Sequence, residues 1–465
     1  MIEAVGRALD RRLGMARFVR EAMNHVFPDH WSFMIGEIAL YAFAILVITG
    51  IYLALFFNAS DAEVVYHGSY HALDGLRMSA AYESSLHLSF GVPAGLLIRQ
   101  MHHWAADIFI AAIVAHLARI FFTAAYRRPR ELNWLIGLTL LVLAVGNGFF
   151  GYSLLGDLLS GAGLRVGYAI LLSIPVAGPW LAFLVFGGTV PANGMTPHMY
   201  AMHVVVIPAL ISLLLGIHLA IIWRQRHTNY PGPGRTNRTI VGSRLWPSYA
   251  AKSLGLFFLV FGVIAMMGGL FQIDPVWIYG PYNPVAIIPG AQPDWYLGWV
   301  EGAIRLFPGV NLHLGHWLVP ELFFPGLLFP ALVFLALYLW PFFAETLSLD
   351  DRQHHVLLLP WQQPFNTAFG CAVFMFLLVL LVAGADDFIA VMTDSSVVTL
   401  RTLLRILVFV IPALTFVVVY WLCLRRRARH AQDKVADEAQ STVPQERPQA
   451  GEGPSLGFTV RVRPD

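Results

Sequence analysis

Four histidines carry the chemistry most open to this chain. His102 and His116 lie fourteen residues apart in one apolar segment, and His203 and His218 lie fifteen apart in another. At 3.6 residues per turn and about 1.5 Å rise per residue, either spacing is close to four turns. Each pair then shares one helix face to within about 40–60° and reaches about 21–22 Å along it, most of the way across a hydrocarbon core of about 30 Å. A bis-histidine haem takes one imidazole from each of two facing helices, so this pattern would hold two non-covalent b haems, one toward each membrane surface. A lone membrane histidine reads as a packing or proton-relay residue; four at matched spacing read as ligands. His103 and His198 lie thirteen and twenty residues from His116 and His218, on the wrong side of their helices, and are not expected to ligate.

The elements that must position these residues are membrane helices. The chain is 57% hydrophobic and only 12% charged, with a mean hydropathy of +0.64, far from the balance of a soluble domain. Eight stretches are long enough to cross, at roughly 35–57, 98–122, 133–154, 197–223, 250–270, 317–342, 365–385 and 400–424. No signal-peptide pattern precedes the first. Arginines and lysines collect before span 1 (Arg7 to Arg20), between spans 2 and 3 (Arg127, Arg128, Arg130), between spans 4 and 5 (Arg224 to Lys252) and after span 8 (Arg425 to Arg427). With eight spans all four clusters lie on one face, the cytoplasmic one, together with both termini. His102 and His203 then sit near the outer face, and His116 and His218 near the inner.

The fold expected is therefore an all-α membrane protein. It has a cytoplasmic N-terminal segment (1–34), a four-helix di-haem bundle (35–223), a cytoplasmic linker (224–249), a second four-helix block (250–424) and a polar, disordered tail (425–465). Two outer segments, 160–189 and 273–316, mix proline and glycine with apolar residues and read as short surface helices around a pocket. Cys371 and Cys423 are too far apart for a metal cluster, and the absence of CxxCH excludes covalent haem. Gly36 and Gly50 in span 1, and Gly137 and Gly151 in span 3, repeat the fourteen-residue period and leave room where backbone approaches a macrocycle. Arg99 and Arg119, each one turn from a ligand, are placed to meet haem propionates; the plainer reading is a cation reaching the interface.

With these features the chain resembles cytochrome b of the respiratory quinol:cytochrome c oxidoreductases, over about residues 28–425. The resemblance rests on Arg99-Gln-Met-His102-His103-Trp104, His116, Pro129-Arg130-Glu131-Leu132, the spaced glycines and Pro293-Asp294-Trp295-Tyr296. The segments FPDHWSFMIGEIALY and SSLHLSFGVPAGLLIRQMHHWAADIF are similar to the actinobacterial form, from a cytochrome bcc complex that oxidises menaquinol.

The resemblance implies an outer quinol pocket beside the Pro293–Tyr296 loop, with Asp294 where the family has glutamate. Proton acceptance needs a carboxylate tuned toward working pH, and burial raises a carboxyl pKa. Aspartate is one methylene shorter, so Glu301 is a second candidate, and Tyr296 a hydrogen-bond donor to the quinol. The bland reading of Asp294 is a helix cap. His316 and Glu321 are placed to lead protons outward. The family's Gly-Tyr-x-Leu-Pro-Trp turn is Gly151-Tyr152-Ser153-Leu154-Leu155-Gly156 here, without its proline and tryptophan. Candidates for an inner quinone pocket are His25, His30, Trp31, Glu37 and His227, with His354 and His355 on the same face.

The family role is a Q-cycle: quinol is oxidised outside, quinone is reduced inside, and the chain works in the plasma membrane of a bacterium. Expected partners are a Rieske iron–sulfur subunit, a cytochrome c subunit of di-haem cc type, a second copy of the chain, a terminal oxidase in a supercomplex, and membrane lipids, with no nucleic acid. Two other classes compete. One is the di-haem anchor of another redox enzyme, which has no use for the second block. The other is a proton-coupled transporter, which leaves the histidine spacings as coincidence.

Overall fold

Hydrophobic stretches of this length bury their backbone polar groups as helices because lipid offers no hydrogen bonds. The computed structural model describes residues 10, 12, 15–188, 194–286, 292–315, 317–348 and 352–441. Among these described residues eight helices are long and apolar enough to cross a membrane: Trp31–Ala54, Gly95–Phe122, Glu131–Ser153, Met195–Gln225, Leu245–Leu270, Phe324–Thr346, Pro364–Gly384 and Val397–Asp433. They match the eight expected spans in order. The second span is central and packs on the first, third and fifth; the third packs on the fourth and sixth, and the seventh on the eighth. Small residues allow the close approaches, with Ala42 and Ala105 fully buried between the first and second spans. A Cβ on Gly268 of the fifth span would lie 2.8 Å from Met101 Cγ. Cys371 and Cys423 are free.

The two segments expected at the outer face fold, where described, as short helices, Leu158–Leu172 and Gly178–Phe186 in one and Val276–Tyr279 and Trp295–Leu306 in the other. The sequence reading missed the buried helix Ala80–Phe90 before the second span. Its AAYESSLHLSF shows no apolar period because its buried serines are satisfied locally. Ser84 and Ser85 both donate to Ala81 O (2.9 and 3.0 Å), and Ser89 donates to Ser85 O (2.8 Å). Tyr82 Oη donates to Val276 O (2.9 Å), tying this helix to the second outer segment. A two-residue antiparallel ladder, Val26–Phe27 with Ser243–Arg244, ties the N-terminal segment to the linker.

One boundary needs correction. The last helix runs from Val397 to Ser441, so the tail expected to be disordered from residue 425 is helical as far as the structure describes it. Arg425–Ser441 contains alanines and long charged side chains and no proline before Pro444, a composition that favours helix. His316 lies outside the described residues.

The Trp295–Leu306 helix is held against the seventh span at backbone contact. A Cβ on Gly302 would collide with the Leu380 carbonyl, and one on Gly384 with the Gly298 carbonyl. Arg305 then clamps the helix to Asp386 (2.5 Å), Asp387 (2.9 Å) and Glu301 (2.9 Å). Arg401 reaches the second oxygen of Asp386 at 2.9 Å. Replacing Gly302 with valine is expected to destabilise the protein by about 1–3 kcal/mol or more through overpacking, read as a lower melting temperature in detergent. Gly262→Val, at a position with open space around it, should leave melting unchanged. Equal melting for both variants would show that the helices do not meet at Gly302.

Candidate functional site

The third and fourth spans oppose each other as the first and second do, and the glycines fall where the imidazoles are. An ideal Cβ on Gly50 would lie 3.2 Å from His102 Cε1, one on Gly36 3.0 Å from His116 Cε1, and one on Gly137 3.6 Å from His218 Cε1; one on Gly151 would overlap His203 Cε1. Each spaced glycine thus makes room for one histidine ring. The extra residue between His203 and His218 is taken up by a π-helical turn at Met202–Val206, the kind of single-turn bulge that often marks a functional site.

His102 and His203 face each other with ring centres 6.1 Å apart and planes at 77°. Metal–imidazole bonds are about 2 Å long, so two axial imidazoles on one metal put their ring centres about 6 Å apart. The spacing fits. His102 Nδ1 lies 2.9 Å from Thr49 Oγ1, whose own proton is donated to Ile45 O. His203 Nδ1 lies 2.9 Å from Asn147 O. Both bonds require Nδ1–H, which leaves Nε2 free to ligate. Around the pair is a cavity of about 440 Å³ lined by apolar side chains with Gly50, Gly151 and Arg99. Arg99 donates twice to Asp274 O (3.2 Å each) while its Nε is buried and finds no partner among the described residues. At the other end Arg119 Nε and the Nδ1 atoms of His116 and His218 are likewise buried and unpartnered. These residues fit haem: paired imidazoles, backbones free of side chains, and arginine donors awaiting an anion.

The wall of the 440 Å³ cavity also holds Asp294 and Tyr296, and with them His103. His103 Nε2 is 2.9 Å from Asp294 Oδ1, and Tyr296 Oη donates to Asp294 Oδ2 at 2.8 Å. Asp294 precedes the first turn of the Trp295–Leu306 helix but makes no side-chain capping bond, so the capping role does not apply. Its acidity corrects the expectation drawn from burial alone. Burial pushes the carboxyl up, but His103 and the bonds from His103 and Tyr296 outweigh it and hold Asp294 below the ordinary aspartate range. The Tyr296 phenol, nearly fully buried beside this carboxylate, is pushed well above its usual value by burial first, and its proton is directed at Asp294. Glu301 does not line the cavity; its carboxylate accepts from Arg305.

His103 is the main residue that ligand spacing passed over: it is off the ligand face because it serves the wall. Asp107, one turn further along the same face, is buried with Oδ1 unpartnered among the described residues; the His103-x-x-x-Asp107 spacing was the available signal. Asp157 and Asp274 were also missed. Asp157 caps the Leu158–Leu172 helix, accepting from the backbone of Leu159 (3.1 Å) and Ser160 (3.4 Å). Asp274, with neither oxygen partnered, is pushed up to about 7 by burial, with Asp157 adding to the effect. Glu321 lies outside the cavity lining, its backbone N–H bonded to Asn311.

At the His116 end the inner candidates fall into separate sets. His25 stacks on Trp223 at 4.3 Å and approaches His227 at 6.5 Å. Burial, then the charges of His25, Arg119 and Arg130, lower His227 to about 4. Glu37 accepts hydrogen bonds from Tyr249, Ser253 (2.6 Å) and Tyr41 (3.3 Å). His30 bonds Ser32, which bonds Tyr230 (2.8 and 3.1 Å), and Trp31 is 72% exposed. His354 and His355 offer Nδ1 to Arg127 and Arg130 (3.2 and 2.9 Å). His198 bonds Leu184 O (3.0 Å), away from the ligand rows.

Fold and site together describe a multi-pass membrane protein whose helices bring two histidine pairs together with a geometry that fits haem. Comparison with known proteins agrees. Residues 107–281 match the family described as cytochrome b (N-terminal)/b6/petB. The chain is 45% identical over 442 residues, 95% of its length and 81% of the relative's, to a cytochrome bc1 complex cytochrome b subunit of Streptomyces coelicolor. It is 44% identical to the subunit so described in Mycobacterium tuberculosis H37Rv, over 90% of this chain and 76% of that one. A solved structure described as a hyperthermophilic respiratory Complex III shares the fold at a TM-score of 0.65 and 21% identity, covering 90% of this chain and 98% of that one. The chain belongs to the cytochrome b family of bc1-type respiratory complexes, which bind haem b and work in electron transport. Neither the anchor nor the transporter alternative survives this.

Gly151→Val would press a branched side chain onto His203. The expected result is loss of about half the b-type absorbance in a pyridine haemochrome assay, with Gly146→Val, in open space on the same span, retaining it all. Full absorbance in Gly151→Val would show that the glycine does not set the ligand's position.

Proposed function

We propose that this chain is the di-haem cytochrome b subunit of a quinol:cytochrome c oxidoreductase that oxidises menaquinol at the Asp294 end and reduces quinone at the Glu37 end. The observation that carries the reading is one cavity wall: Asp294, bonded to both His103 and Tyr296, faces the same space as His102 and His203. When bound, haem between His102 and His203 and haem between His116 and His218 supply one-electron carriers linking the two quinone pockets across the bilayer. Arg99 and Arg119 are the donors for their propionates, and Gly36, Gly50, Gly137 and Gly151 keep the backbones clear.

Oxidation of a quinol releases two electrons and two protons. Asp294, held as a carboxylate, accepts a hydrogen bond from a quinol hydroxyl, and the Asp294–His103 couple takes its proton as the electrons leave. Tyr296 orients the carboxylate rather than the quinol. Glu301, tied to Arg305, positions the helix that carries Asp294. At the opposite end Glu37, with Tyr249, Ser253 and Tyr41 around it, supplies a proton to quinone, while His25, Trp223 and His227 offer an aromatic wall. The basic loops support a cytoplasmic position for this second end; on that orientation protons leave outside and enter inside, as in a Q-cycle. The chain has no thiolate cluster for the other electron, so a Rieske subunit and a cytochrome c subunit, of di-haem cc type, complete the enzyme. A homodimer within an oxidase supercomplex in the plasma membrane is the expected assembly.

A pyridine haemochrome assay with redox titration should find two b haems per chain with separate midpoints, and His102→Ala or His116→Ala should each leave one. No haem would end the reading. Asp294→Asn should lower the menaquinol oxidation rate by about 10²–10⁴-fold, the usual contribution of a positioned base. The acid side gives a sharper test. Because Asp294 is held below the ordinary aspartate range, protonation of Asp294 itself should add an acid limb of its own only below about pH 4, distinct from the limb at which His103 takes up its proton. Tyr296→Phe removes a bond that favours the carboxylate, raising its pKa, so the acid limb should move to higher pH. An unmoved limb would show that the Tyr296 bond does not set the acceptor's acidity.

A further inference from the structure

Two carboxylates lie behind the Asp294 wall and take no part in the chemistry proposed for it. Asp157 opens the Leu158–Leu172 helix and Asp274 lies just before the Val276–Tyr279 helix; they are 0% and 8% exposed. The local pairing brings them together. Asp157 bridges to Pro281, with Leu158 N–H donating to Gly280 O (3.0 Å) and Tyr282 N–H to Gly156 O (2.9 Å), while Tyr82 ties down Val276 O (2.9 Å). The second span then grips the backbone at Asp274. Gln100 bonds Ile273 both ways, Nε2–H to its carbonyl (2.9 Å) and Oε1 from its N–H (2.7 Å). Both Arg99 bonds go to the Asp274 carbonyl rather than to its carboxyl group. Asp274 is thereby held at φ 46°, in the left-handed region that non-glycine residues avoid unless their surroundings impose it.

Among the described residues neither Asp274 carboxyl oxygen has a partner, nor does Asp157 Oδ1. Ionising both groups would set two like charges side by side in a buried place, so such a pair keeps one proton. Burial pushes Asp274 up to about 7, Asp157 and Asp294 add to this, and His103 and Arg99 offset part of it. Burial likewise raises Asp157 in spite of its bonds from Leu159 and Ser160. Tyr82 and Tyr279 complete the surroundings. The pair has a link to the cavity in Tyr152, which stands in the cavity wall. Its hydroxyl is buried and unpartnered among the described residues, and Asp274 and Asp157 are the charges that act on it most. Environments that push carboxylates apart in acidity divide acid–base roles between them: two bonds keep Asp294 ionised, whereas a group titrating near working pH can take a proton and give it up again. We propose that Asp274, paired with Asp157, is a second proton acceptor for quinol oxidation, reached through the Tyr152 hydroxyl. This rests on the reading of the cavity as a quinol pocket. Oxidation of one quinol frees two electrons and two protons; the Asp294–His103 couple takes one proton and the carboxyl pair the other. Tyr152 gains a proton from the cavity side as it passes its own to the pair, which later loses it to water.

Infrared spectroscopy of the intact complex reads the pair without turnover. The difference between wild type and Asp274→Asn should contain a protonated-carboxyl C=O band that shifts in heavy water and titrates away through about pH 7. Asp157→Asn keeps a side chain able to cap the helix but removes the neighbouring charge, so its band should titrate at lower pH. An unchanged haem spectrum is the control for folding in both variants. No such band, or the same titration in Asp157→Asn, overturns the pair. Menaquinol oxidation then tests the role. The wild-type rate should rise as the pair is freed of its proton through about pH 7, and Asp274→Asn should lose this limb and run at least severalfold slower above it. If Asp274→Asn does not assemble, Asp157→Asn carries both readings, its band and its rate limb moving together to lower pH. A band that behaves as expected beside an unchanged rate and pH profile overturns the role in quinol oxidation. A wild-type complex that oxidises no menaquinol overturns that role together with the quinol reading, and the infrared result still decides the pair.

Discussion

An imidazole ring set between two membrane helices forces their backbones apart unless one helix presents no side chain at that level. In lipid there is little hydrophobic force to pull helices together, so packing depends on how closely backbones can approach. Here four imidazoles are each met by a glycine on a neighbouring span, Gly36 on His116, Gly50 on His102, Gly137 on His218 and Gly151 on His203. The two helix pairs that carry the four histidines are therefore fixed by the same contacts that aim the rings. Register along a span decides everything at once: sliding by one residue would carry both the ring and its glycine about 100° around the helix. The π-helical turn at Met202–Val206 keeps His203 and His218 in step despite their odd spacing.

Sequence carried this part of the fold well because the constraint is periodic. Fourteen- and fifteen-residue intervals in two residue types, repeated on neighbouring apolar segments, point to facing helices without further information. Wherever the determinant is a single long-range contact, the sequence was mute. His103 was set aside because it leaves the ligand row, yet that displacement turns it toward Asp294, 191 residues away. The Ala80–Phe90 helix left no pattern because its serines are buried and self-satisfied. Glu301 was a plausible partner for Asp294 by proximity in sequence, but seven residues along a helix is nearly two turns, and Arg305 at i+4 claims it. The acidity of Asp294 was misjudged for the same reason: burial can be read from an apolar context, whereas the neighbouring imidazole cannot.

The two ends of the bundle solve different problems with buried charge. At the Asp294 end, polar groups are concentrated in segments that do not cross the membrane, and their positions are secured by a clamp. Asp386 is fully buried between Arg305 and Arg401. Such a pair adds little net stability over apolar packing, but breaking one partner leaves an uncompensated charge and costs about 3–5 kcal/mol. The clamp thus acts as a register device: with the glycine contact at Gly302 it leaves the Trp295–Leu306 helix one position, and Asp294 at its start inherits that position. At the other end histidine ring nitrogens and backbone carbonyls meet Arg127 and Arg130, while Arg128 lies 3.4 Å from Glu345.

A short carboxylate at the Asp294 position is workable because of what surrounds it. Lacking a methylene, an aspartate at the start of the Trp295–Leu306 helix has little freedom to swing toward a substrate and back. A residue that must carry a proton by moving would be poorly served by it. A residue that passes a proton to a bonded neighbour has no need to move, and His103 is already at 2.9 Å on the side toward the second span. The bond also removes the disadvantage of burial, since an isolated buried aspartate would be protonated and useless as an acceptor. Paired with an imidazole, it stays ionised while the imidazole supplies the capacity to hold the proton. In this reading the loss of reach and the gain of His103 are one change, and the His102-His103 doublet unites two functions on adjacent faces of a single helix, one ring for the metal and the next for the proton.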